Sequence, residues 1–212
     1  MLKSFSLQLF VLIFLNLSAH TQKISEPNFQ KLQSQLKEGD ILFQETYGDF
    51  SEAIKLATKS NISHCGLLLK KNNEWYVFEA YEPVLYTPLK NWVSRSNTLI
   101  IKRLAENQKI ESDVVSKMNS IAKSMNGKHY DSKFLWTDKE LYCSELVWKI
   151  YKSACNVQLG TLQRLSDFDL TSPLVKKQMQ INYGNNIPMN ETIISPVSIL
   201  NDKKLVTVYS TN

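Results

Sequence analysis

The chain has 212 residues, 43% of them hydrophobic and 10% aromatic, with a formal charge of +5. That length and apolar content fit one globular domain with a single sizeable core. The 25 Lys and Arg residues are scattered, with no run of five or more, which argues against a nucleic-acid surface.

In chain order, residues 1–21 read as an export signal. Lys3 gives a positive start, Leu7 to Leu17 an apolar run, and Ala19 and Thr21 small residues beside a cut between Ala19 and Gln22. A run of about 11 residues is well short of the roughly 18–20 that cross a bilayer. The expectation is an exported protein, periplasmic or extracellular, with no integral membrane span once the signal is cut and a domain over 22–212. Losing Lys3 and no acid leaves a charge of about +4.

A polar lead-in runs to about Glu38, and "GDILFQ" then predicts a turn and a short buried strand from Ile41. Phe50, Ala53, Ile54 and Ala57 share one face of a short helix. "SHCGLLL" and "EWYVFEAY" read as two strands of a hairpin joined by Lys70 to Asn73, and Thr98 to Leu104 as a further strand rich in β-branched residues. Ser112 is the expected N-cap of an amphipathic helix whose stripe is Val114, Val115, Met118, Ile121, Ala122 and Met125, ended by Gly127. A second helix runs from about Tyr142 to Ala154; Thr137 with Glu140 offers an earlier capping box. The remainder from Asn156 reads as loop-rich, with a terminal strand "KLVTVYS". Strands and helices do not alternate as βαβ units, so the fold class is α+β with a mostly antiparallel sheet.

The three cysteines, Cys65, Cys143 and Cys155, leave at least one thiol unpaired within a chain. Cys143 and Cys155 lie about 18 Å apart along one helix, too far for a bridge. No C-x-x-C, H-E-x-x-H or Gly-rich phosphate loop occurs, so no metal or cofactor is expected. Cys143 shares the buried stripe of its helix, which fits a packed thiol. Its place at the helix start fits a nucleophile instead, because unpaired N–H groups and the helix dipole lower a thiol pKa there. Of His20, His64 and His129, only His64 lies on a predicted strand, beside Gly66. A four-residue hairpin loop sets His64 directly opposite Glu79, within reach for a carboxylate to hold the imidazole, whereas a three-residue loop turns Glu79 to the opposite face. Alternation turns Cys65 away from His64 and into the core.

The segments "GDILFQ", "AIKLATKSNISHCGLLL", "VFEA", "GKHYD", "YCSELVWKIY" and "ISP", in this order over about Glu38 to Val208, resemble the permuted NlpC/P60, or papain-like, amidases of the YiiX/YebB type. The resemblance implies a circularly permuted papain-like fold with the catalytic helix packed on the sheet. It also implies a Cys143 nucleophile, a His64 general base and a Glu79 orienter, acting through a thioester on an amide bond. The backbone N–H of Cys143 would help bind the oxyanion; Tyr142 either adds a hydroxyl there or simply packs. Asp40 and Tyr130 match family positions and are read as structural. Expected substrates are small peptides or acyl amides, cell-wall peptides among them. The alternatives are a lipid acyl hydrolase or acyltransferase with the same triad, and a non-catalytic wall-binding module.

Overall fold

The computed structural model describes residues 26–105 and 110–211. The expected export signal and His20 lie outside the described residues.

Six strands form one antiparallel sheet in the order β4-β3-β2-β1-β5-β8. They are β1 (Ile41–Gln44), β2 (His64–Lys71), β3 (Glu74–Ala80), β4 (Val84–Pro88), β5 (Ile100–Leu104) and β8 (Leu205–Ser210). Both faces are covered, which is why β1 and the first six residues of β2 are buried without interruption. One face, with Ile41, Phe43, Cys65, Leu67 and Phe78, packs against α4 (Ser112–Met125) and α5 (Cys143–Cys155). The other, with Leu42, Leu68, Val77 and Ile101, meets α1 (Glu26–Gln33) and α3 (Leu89–Val93) through Phe29, Leu32 and Trp92. Three shorter elements, β6 (Gln163–Arg164), β7 (Thr192–Ile193) and α7 (Pro196–Leu200), follow α5, and α2 (Asp49–Thr58) packs on α6 (Pro173–Tyr183).

The α+β class, the strands β1, β2, β3, β5 and β8 and the helices α2, α4 and α5 are as the periodicity predicts, whereas the edge strand β4 and the helix α3 are not among the predicted elements. The predicted loops are not all loops. The lead-in contains α1, with Phe29, Leu32 and Leu36 buried, and the tail contains α6, opened by Pro173 in its first turn. Helix α4 starts at Ser112 itself, with Glu111 in the cap position. Helix α5 starts at Cys143, and the Glu145 carboxylate accepts the Tyr142 backbone N–H at 3.3 Å, so the Thr137/Glu140 box is not the one used.

The hairpin loop differs most usefully. Lys70 and Lys71 belong to β2, paired with Trp75 and Glu74, which leaves a two-residue loop of Asn72 and Asn73 at φ 52° and 64°. Two consecutive left-handed residues make the tight turn whose twist suits a hairpin, and asparagine tolerates that conformation better than most residues. The pairing therefore slides by two residues from the expected one. A slide of two leaves every side chain on its face.

Candidate active site

Continuing the β2–β3 ladder past its pair Leu67↔Phe78 sets Gly66 opposite Glu79, with His64 diagonal to it on the same face. Glycine is what permits this approach. A Cβ on Gly66 would fall 2.4 Å from Val77 Cγ1 and 3.3 Å from Glu79 Cβ. The Glu79 carboxylate crosses that space and accepts His64 Nε2–H at 2.5 Å. Trp92 Nε1–H donates to the same oxygen at 2.9 Å. Thr87 Oγ1 at 2.5 Å and Arg95 Nη1 at 2.8 Å donate to the other. Four donors on a fully buried carboxylate outweigh the burial that would raise its pKa and hold it down at about 2.

Cys143 comes to the imidazole from the other face of the sheet. It is the first residue of α5, so its backbone N–H has no acceptor within the helix. The helix start is fixed to the segment after β7. Ser144 Oγ donates to the Ile194 carbonyl at 2.7 Å, and Tyr142 Oη accepts the Ile194 N–H at 3.1 Å. These contacts are the work of the "ISP" segment, whose Ser195 caps α7. The groups that act on the Cys143 thiol are the Cys65 thiol, the His64 ring and the Cys65 backbone N–H. The Cys65 and His64 contacts pull its pKa well below the usual thiol value against the effect of burial. Burial alone would lower the His64 pKa, but Cys143 and Glu79 push it up to about 9. A thiolate–imidazolium pair is the resting state these directions describe.

The structure thus brings Cys143, His64 and Glu79 together. Tyr142 is only 1% exposed, and its hydroxyl oxygen accepts the Ile194 N–H, which leaves its own O–H to donate elsewhere. Asp40, fully buried, takes Arg103 Nε at 2.6 Å and Nη2 at 2.7 Å and ties β1 to β5, a structural part as expected. Burial first, then the nearby Cys143 charge, keeps the Tyr130 hydroxyl protonated. His129 is exposed and paired with Glu82 at 2.9 Å, away from this cluster. Thr87, Trp92 and Arg95 had no signal in the sequence, because their shared partner is reached only through the fold. Gln44, directly opposite His64 and 1% exposed, has no partner for either amide atom among the described residues.

Cys143 also ends an apolar cleft of about 730 Å³, counting its open mouth. Its walls come from α2 (Ala53, Ile54), α6 (Val175, Met179), Phe134, Leu165 and Ile193.

The family model described as permuted papain-like amidase enzyme, YaeF/YiiX, C92 family, matches residues 35–209. The chain belongs to this family. Among its relatives, "Uncharacterized protein YiiX" of Escherichia coli K12 is 41% identical over 172 residues, 80% of this chain and 84% of that protein. A crystal structure titled as metalloprotein YiiX from Escherichia coli O157:H7 superposes with a TM-score of 0.78 at 41% identity, covering 82% of this chain and 97% of that one. No three His, Cys, Asp or Glu side chains among the described residues gather as metal ligands. His64 and Glu79 are committed to each other and to Cys143.

Proposed function

We propose that the protein is an exported cysteine hydrolase that forms a thioester at Cys143 and releases an amine from an amide-linked acyl group. One observation carries this reading: Glu79 occupies His64 Nε2, so the remaining ring nitrogen serves the Cys143 sulfur at the start of α5. The thiolate attacks the acyl carbon without first needing a base, and His64 gives its proton to the departing amine. Neutral His64 then takes a proton from the water that hydrolyses the thioester. Glu79 fixes the ring and stabilises its charged form. The Cys143 N–H and the Tyr130 hydroxyl supply donors for the oxyanion.

The apolar cleft supports the lipid alternative for the acyl half of the substrate. A wall peptide would lose the water around its polar groups in a cleft with few partners, whereas an acyl chain gains by leaving water. Amide- and ester-linked chains meet the same sulfur. Export rests on residues 1–21 alone and places the substrate outside the cytoplasm.

Purified protein offered N-acyl amides of increasing chain length, acyl esters and muropeptides, with Cys143→Ala as blank, tests this reading. Turnover that rises with chain length and vanishes in the variant supports it. Turnover of muropeptides alone returns the site to wall peptides. Failure to trap a thioester with any of the three favours the wall-binding module.

A further inference from the structure

Cys65 is fully buried, and the triad does not require it. It nevertheless lies in the same buried cluster as Cys143, where α5 packs on β2, and its thiol and backbone N–H both act on the Cys143 thiol. The strand pattern explains the second contact. Leu68 exchanges backbone hydrogen bonds with Gly39 and Asp40 on the β1 side, so the odd-numbered residues of β2 face β3. Recorded β2–β3 pairing stops at Leu67↔Phe78, which frees the Cys65 N–H for the sulfur. A disulfide between two such cysteines requires Cα atoms about 4.4–6.8 Å apart.

We propose that Cys65 and Cys143 form an oxidisable pair, in which Cys65 resolves a peroxide-oxidised Cys143 as a disulfide and spares the nucleophile from irreversible oxidation. The inference rests on Cys143 being the reactive thiol of the proposed hydrolase. The order of events follows from access. Cys143 ends the open cleft, so a small peroxide reaches its sulfur, while Cys65 is reached only through Cys143. Burial first, then the Cys143 charge, keeps the Cys65 thiol protonated while Cys143 is a thiolate. Cys155 is no competitor: it lies at the far end of α5, with its thiol on the Tyr151 carbonyl at 3.0 Å.

The chemistry balances with hydrogen peroxide as oxidant. The Cys143 thiolate attacks one peroxide oxygen, the O–O bond breaks, and the departing hydroxide leaves as water after taking a proton. Cys143 is now a neutral sulfenic acid, and the charge that held the Cys65 proton is gone. The Cys65 sulfur attacks the Cys143 sulfur, the S–O bond breaks, and the oxygen departs as water with the Cys65 proton. The two thiols lose two electrons, and the peroxide gains them.

The test is one equivalent of hydrogen peroxide on the reduced full chain, followed by non-reducing peptide mapping and by alkylation of Cys143 before and after dithiothreitol. The expected result is a mass loss of about 2 Da, a mapped Cys65–Cys143 bridge, and alkylation lost and then restored by the reductant. In Cys65→Ala and Cys65→Ser given a second equivalent of peroxide, Cys143 should instead gain about 32 Da as a sulfinic acid that dithiothreitol does not reverse. If these variants do not fold, the wild-type map decides alone. Cys143 over-oxidised in the wild type beside a free Cys65, or a bridge to Cys155 or to a second chain, overturns the proposal. A Cys143 that reacts with neither peroxide nor alkylating reagent overturns the nucleophile reading, and this one with it.

Discussion

The two sides of the His64 ring are built on different terms. On the Glu79 side everything is dry and paired: four donors meet one carboxylate, and Arg95 also reaches Thr87 at 3.4 Å. On the Cys143 side the groups are fewer, and the sulfur faces a cleft that the chain leaves unfilled. One half of the site fixes a ring, and the other leaves space for something to react. An over-determined first half is what allows the second to stay open, because an imidazole held at one nitrogen presents the other in a constant place.

The largest expected effect lies on the open side. Cys143→Ala should cost about 10⁴-fold or more in kcat while barely changing the melting temperature, since it removes one small side chain from a cleft wall. Comparable loss of stability and activity would mean that the thiol is a packing residue.

Glu79→Gln breaks the closed side. An amide nitrogen in that position faces donors and leaves buried groups unpaired, so a loss of about 3–5 kcal/mol in urea unfolding is expected. Cys143 alkylation should lose its low-pH reactivity, because an imidazole without the carboxylate no longer holds its proton so firmly. Alkylation profiles that coincide with wild type would show that the two sides of the ring are not coupled.

Titration sharpens the same contrast. Turnover requires Cys143 deprotonated and His64 protonated, so it should rise at low pH as the thiol ionises and fall as His64 titrates at about 9. Stability follows the paired groups with opposite signs. The His64 pKa is raised from 6.5 to about 9, so its contribution is complete below 6.5 and is lost as pH rises through 9. The Glu79 pKa is lowered from 4.5 to about 2, so its contribution is complete above 4.5 and is lost as pH falls toward 2. The Cys143 pKa is lowered, so its contribution grows as pH rises through the neutral range and offsets the His64 loss there. Urea midpoints should therefore climb from acid pH to about 6.5 and level off between about 6.5 and 9. A midpoint still climbing at pH 9 would contradict the charged His64.

How far the sequence reveals this site depends on period. The hairpin loop is two residues shorter than its polar composition implies, yet Glu79 shares a face with His64, because strand alternation repeats every two residues. A shift of one would have put Glu79 on the other face. The same alternation sends Cys65 into the core, and it is there. What alternation cannot show is that the sheet pairing ends at Leu67, so that one sulfur meets residues of both faces. Trp92 and Arg95, 13 and 16 residues past Glu79, lie in and just beyond a short helix that follows a strand, and Pro83 and Pro88 hide the pattern of both elements. The cleft is least legible of all, since separate segments supply its walls and none is complete alone.

Gln44 tests where the closed side ends. Its amide lies beside His64, buried and without a partner, a state that costs about 1–3 kcal/mol unless water or substrate fills it. Gln44→Met keeps the length and apolar bulk and removes both unpaired groups, so stability should hold or rise by up to about 1 kcal/mol. If the amide serves the leaving group or the attacking water, acylation and deacylation will respond separately in a burst experiment while Cys143 alkylation stays at the wild-type rate. An unchanged burst and steady state would assign Gln44 to the fixed half of the site, as a neighbour of His64 that the chemistry does not use.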